Sequence, residues 1–149
     1  MNSKVLLEAV DKFGTPLYIY DSNMIKSQYN RLKKSFKDVK NLQINYAVKA
    51  LSNISILKYM INMGSGIDAV SVQEVKLALR AGVNPKKILY TPNGVSINEI
   101  KEVSKLGVSI NIDNLEVLEQ FGNLNPDVPV CIRINPHIMA GGNSKISVG

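Results

Sequence analysis

This 149-residue chain has no tryptophan, one cysteine and one histidine. A lone Cys131 excludes an internal disulfide and suits a reducing compartment. Cys131 and His137 cannot make up a Cys/His metal site, so no metal is expected. Long apolar runs are missing too. The runs present are strand-sized and interrupted by charges, which argues against a signal peptide or membrane span. A cytoplasmic protein with no membrane partner is the expectation. The net charge is +6 and the pI about 9.4, yet a dense basic tract is absent. Lysines stand among acids, as Lys76 near Glu74 and Lys101 beside Glu102. The tightest group, Arg31-Leu32-Lys33-Lys34, suits the solvated face of one helix, so no nucleic-acid partner is expected. What remains is 45% hydrophobic and 20% charged, a globular profile of one domain's length.

Apolar, β-rich runs occupy residues 43–48, 66–70, 87–90, 108–112 and 128–134, a pulse of roughly 21 to 22 residues. Helical periodicity fills the gaps. Ile54, Leu57, Lys58 and Ile61 mark one helix face, and Val72, Val75, Leu79 and Val83 another. Ser71 with Glu74, and Ser96 with Glu99, match the capping box. Gly64, Gly82 and Gly107 fall where helices should stop. Ahead of the pulse, helices are expected over 5–13 and 22–36, with a short strand over 17–20 that could pair outside the main sheet.

Alternating strands and helices imply a parallel sheet, either a (β/α)₈ barrel or a doubly wound open sheet. The open sheet usually carries G-x-G-x-x-G after its first strand. Here Lys49-Ala50-Leu51-Ser52-Asn53 follows, without glycine, which favours the barrel. Five pulses are visible where a barrel needs eight. The chain is therefore expected to be the N-terminal part of a longer protein, or a truncated product of its gene.

Three charges sit in or beside the strand runs: Lys49, Asp68 and Arg133. Parallel strands are normally near-continuous Val, Ile and Leu, and a buried charge must be paired or serve a ligand. Strand alternation would put Asn45, Ala47 and Lys49 on one side, with small Ala47 leaving room beside the lysine stem. Two readings of Lys49 stand. It snorkels to solvent, or it is a desolvated, nucleophilic amine able to condense with a carbonyl. Asp68 and Arg133 could form an internal ion pair or line a site. In a barrel all three would converge at the C-terminal face, where Asn93 and Asn111 could join the rim.

These residues carry a family resemblance. Tyr46-Ala47-Val48-Lys49-Ala50 resembles the Y-A-x-K-A pyridoxal-phosphate lysine motif of the barrel-type amino-acid decarboxylases. Gly66-Ile67-Asp68-Ala69-Val70-Ser71 with Glu74 resembles their G-x-D-x-x-S-x-x-E, and Arg133-Ile134-Asn135-Pro136 their R-x-N-P. Lys145-Ile146-Ser147-Val148-Gly149 is similar to the K-I-S-T-G of diaminopimelate decarboxylases, with Val148 in place of threonine. Val72-Gln73 also replaces a frequent glycine pair. The ordered set runs from about Thr15 to Gly149.

The resemblance implies an alanine racemase-like barrel and the cofactor pyridoxal 5'-phosphate. Lys49 would hold the cofactor covalently and return a proton, with Ala47 and Asp68 beside it and Arg133 in its neighbourhood. It further implies decarboxylation of meso-2,6-diaminopimelate to L-lysine by a homodimer. The family's stacking histidine, phosphate loop and C-terminal β-domain would follow Gly149, so residues 1–149 alone are expected to be inactive. His137 is expected to be a loop residue and Cys131 a small core residue. Ornithine, arginine and carboxynorspermidine decarboxylases share the motifs. Alanine racemases fit less well, because Lys49 precedes Ala50-Leu51-Ser52. A reading from another class is an inactive fragment or a binding module.

Overall fold

The computed structural model of the protein describes residues 2–135. His137, Pro136 and the 145–149 segment lie outside the described residues. The chain divides into two compact units, residues 1–42 and 43–149.

The first unit holds two helices, α1 (Ser3–Phe13) and α2 (Ser22–Ser35). Each begins at a side chain that satisfies free amides of the first turn. The Asn2 side chain accepts from the Val5 N–H at 3.0 Å, and Asp21 Oδ1 accepts from Asn23 and Met24 N–H at 2.9 and 3.3 Å. The bond from Met24 leads the interactions that hold the Asp21 carboxyl below its usual range. The strand expected over 17–20 does not form: these residues are irregular, and Tyr18 is 88% exposed. A strand exists through ladder bonds to a neighbour, and alternating Leu and Tyr do not supply one.

The second unit is a five-stranded parallel sheet with helices between its strands. The strands are β1 (Asn45–Ala47), β2 (Gly66–Ala69), β3 (Ile88–Tyr90), β4 (Ser109–Ile112) and β5 (Val130–Ile132). The intervening helices are α3 (Ile54–Asn62), α4 (Val72–Arg80), α5 (Ile97–Ser104) and α6 (Leu115–Leu124). The strands lie in the order β1-β2-β3-β4-β5, so each pairs with its successor in the chain. Partners are 21 residues apart at first, Asn45 with Gly66 and Ile67 with Ile88, then 20 apart, Ile110 with Val130. A doubly wound sheet reverses its strand order at a switch point. This order never reverses, so the crossovers all run the same way around, as in a barrel.

The two faces of the sheet differ. The face covered by helices carries Ile67, Ala69, Ile88, Tyr90, Ile110 and Ile112, each at most 2% exposed. Against it α4 packs on β2 and β3, and α5 and α6 on β4. Val75, Ala78, Ile100, Val103 and Phe121 fill the layer between. The opposite face, the inner face of a barrel, carries Asn45, Ala47, Gly66, Asp68, Leu89, Ser109, Asn111 and Cys131. Gly66 has a packing reason. A Cβ there would lie 2.8 Å from the Lys87 carbonyl oxygen, and would also strike the Asn45 side chain.

The helix ends follow the expected chemistry with one correction. Ser96 and Glu99 form the reciprocal capping box. At α4 the Ser71 hydroxyl accepts from the Glu74 N–H, but Glu74 Oε2 takes the Val70 N–H at 2.7 Å instead of closing the box. Gly64, Gly82 and Gly107 stop their helices at φ of 96, 94 and 71°, where other residues are strained. Among the described residues, no helix is long and apolar enough to cross a membrane.

Candidate active site

The parallel sheet sends all five strand C-termini to one rim. Lys49 lies there, but not as a strand residue. β1 ends at Ala47, and Val48–Ala50 close a 3₁₀ turn. The turn is tied down three ways. Val48 is fully buried, the Leu51 N–H donates to the Val48 carbonyl at 3.0 Å, and the Tyr46 hydroxyl donates to the Leu51 carbonyl at 3.2 Å. Strand alternation therefore does not set the direction of Lys49, contrary to expectation. Lys49 is exposed among the described residues.

Asp68 is half-buried on the inner face of β2, in register with Ala47 on one side and Leu89 on the other. Its neighbours Ile67 and Ala69 point into the helix layer. The Thr91 hydroxyl donates to Asp68 Oδ1. Arg133 follows β5, half-buried, and its N–H extends the ladder to the Ile112 carbonyl at 2.9 Å. It stands two residues after Cys131, which pairs with Asn111 on the inner face.

No ion pair joins Asp68 to Arg133 among the described residues. Three strand spacings separate β2 from β5, roughly 14 Å along the sheet, beyond a direct contact. The internal-pair reading is thereby removed. Arg133 instead lines a cavity of about 220 Å³ with Asn93, Asp113 and Asn135. A neighbouring cavity of about 300 Å³ shares Asn93 and Asp113. Asn93 thus joins the rim as expected, whereas Asn111 sits lower, inside β4.

One residue departs from expectation, and two more join the rim from outside the motifs. Cys131 is exposed rather than a core residue: it faces the inner side of β5, an edge strand whose other face is also open, with Ile132 59% exposed. Thr91 and Asp113 were not singled out from the sequence. Both follow a strand at the same end, as Lys49 and Arg133 do, and that shared position was the available signal.

The rim thus carries a primary amine at the end of β1, a carboxylate on β2 and a guanidinium after β5. The profile of the pyridoxal-dependent decarboxylase pyridoxal-binding domain matches residues 22–149. The chain belongs to this decarboxylase family. Among its relatives are diaminopimelate decarboxylases of Methanothermobacter thermautotrophicus, 37% identical over 96% of this chain, and Helicobacter pylori, 40% identical over 95%. The alignments take in 34% and 36% of those proteins, so the chain spans about a third of the length of the curated relatives it matches. The solved diaminopimelate decarboxylase of Helicobacter pylori, complexed with L-lysine, superposes with a TM-score of 0.83 at 35% identity, covering 98% of this chain and 37% of that one. The lysine/ornithine decarboxylase of Vibrio vulnificus, complexed with cadaverine, superposes at 0.80 with 26% identity, covering 93% and 37%.

The family's cofactor fits this donor set. Pyridoxal phosphate is an aldehyde, and the rim offers the exposed Lys49 amine to condense with it. The inner face is polar at Asn45, Asp68, Ser109 and Asn111, where barrel interiors are usually filled by Val, Ile and Leu.

Proposed function

We propose that the protein carrying this chain is a carboxy-lyase that converts meso-2,6-diaminopimelate to L-lysine with pyridoxal phosphate. The observation that carries this reading is the Lys49 turn at the end of β1, on the same rim as Asp68 and Arg133. Support for the substrate comes from the relatives named above, at 37% and 40% identity. A second reading, a decarboxylase of ornithine, arginine or carboxynorspermidine, draws on the lysine/ornithine decarboxylase of Vibrio vulnificus, but at only 26% identity.

When bound, the cofactor supplies a carbonyl for amines and an electron sink for the pair released as carbon dioxide leaves. Lys49 Nζ would hold the cofactor covalently, and its amine, once free, would carry a proton at the rim. Small, half-buried Ala47 ends β1 in register with Asp68 and leaves space on the inner face beside that carboxylate. Asp68 accepts hydrogen bonds beside that space. Arg133, with donors in a fixed fork, would orient an anionic group in the cavity it lines with Asn93 and Asn135. A homodimer and a cytoplasmic location complete the proposal.

Borohydride reduction of the intact protein with pyridoxal phosphate, followed by peptide mapping, tests the site: the pyridoxyl group is expected on Lys49. Labelling elsewhere removes the assignment. Carbon dioxide release from meso-diaminopimelate, compared with ornithine and arginine, tests the substrate. Faster release from either of the latter favours the second reading.

A further inference from the structure

Thr91 belongs to none of the motifs, yet the fold fixes it tightly. Its N–H donates to the Ala69 carbonyl at 2.8 Å, prolonging the β2–β3 ladder by one residue. Fully buried Pro92 follows it and restricts Thr91 to extended backbone. Asp68 pairs with Leu89, so Thr91 is its diagonal neighbour on the inner face, within side-chain reach.

The Thr91 hydroxyl donates to Asp68 Oδ1. No other side chain or amide among the described residues engages that carboxylate. The last torsion of an aspartate is broad and roughly two-fold, so an untethered carboxylate would sample many orientations. We infer that Thr91 is a positioning residue: its hydroxyl holds one oxygen of Asp68 and leaves the other presented to a ligand on the rim. A carboxylate so held acts as an acceptor, which suits a protonated amine, either that of Lys49 or that of an incoming amino acid. The inference rests on the proposed pyridoxal site.

The test uses the intact protein and titrates pyridoxal phosphate by fluorescence, with borohydride labelling of Lys49 as a second readout. Thr91→Val keeps the shape and removes the donor; it is expected to weaken binding roughly tenfold, the scale of one charge-assisted hydrogen bond. Thr91→Ser restores the donor and should bind within about twofold of wild type. In an Asp68→Asn background, Thr91→Val should add less than about twofold, because the two residues act as one unit. Thr91→Ala serves as a second donorless variant should the valine disturb the fold. Unlabelled Lys49 in the wild-type protein defeats the site reading itself. With Lys49 labelled, wild-type affinity in both donorless variants overturns the inference about Thr91. So does a Thr91→Ser variant as weak as Thr91→Val, or an undiminished effect in the Asp68→Asn background.

Discussion

Neighbouring residues on one strand of this sheet have different work. On β4, Ile110 and Ile112 are at most 2% exposed beneath α5 and α6, while Asn111 between them faces the inner side. On β2, Ile67 and Ala69 are sealed while Asp68 is not. The helix-facing side holds the fold together through burial, at about 25 cal/mol per Å² of apolar surface. The inner side gives up that burial for polar groups. A period of two keeps these tasks apart, so the chemistry can change without loosening the core.

The sharpest way to break this comparison is Lys49→Ala. The side chain is exposed, so stability should stay within about 0.5 kcal/mol of wild type. Activity of the intact protein should fall by roughly 10³-fold or more, and borohydride labelling should vanish. A large loss of stability would mean that the lysine supports the fold rather than the reaction.

Next in size is the pair Ile110→Ala and Asn111→Ala. The first opens a cavity in the sealed layer and should cost about 2–5 kcal/mol. The second, one residue away, should cost about 1 kcal/mol or less. Urea midpoints of the two variants give the answer directly. Equal costs would show that the inner face is packed as firmly as the outer one.

Gly66→Ala sharpens the comparison at an exception. Gly66 is on the inner face, yet its substitution should cost about 1–3 kcal/mol, because the new Cβ would press on a backbone carbonyl that cannot turn away. Thermal unfolding of this variant checks it. The cost would come from closeness of strands rather than from burial.

The division of faces was legible in the sequence because it needs only alternation and the repeat. The helix stops at Gly82 and Gly107 and the box at Ser96 were readable for the same reason: each is local. What escaped needed tertiary geometry. Lys49 continues an apparent strand, but Val48 turns inward and converts the strand end into a 3₁₀ turn. Glu74 has the capping-box position, yet the Val70 amide competes for its carboxylate. The run at 17–20 has strand composition without a partner. Thr91 acquires meaning only once the register of β2 on β3 is known.

The smallest expected effect belongs to Tyr90, on the sealed side of β3. Its hydroxyl is buried and has no hydrogen-bond partner among the described residues. Tyr90→Phe removes a polar group that receives nothing in return, so at neutral pH it should be neutral or stabilising, by about 1 kcal/mol. At high pH the difference should grow. Burial, with the charges of Glu99 and Glu102 behind it, pushes the Tyr90 phenol from 10.0 up to about 12. The folded state therefore keeps its proton where the unfolded chain has released it. Stability tied to that proton is full below pH 10 and is lost as pH rises through 12. Lysines titrate in the same range, so the measurement is the difference between wild type and Tyr90→Phe at each pH. Urea midpoints should separate steadily between pH 10 and 12, with wild type falling faster. Parallel curves would mean that water reaches the phenol, and that the helix-facing side is less sealed at β3 than at β2 and β4.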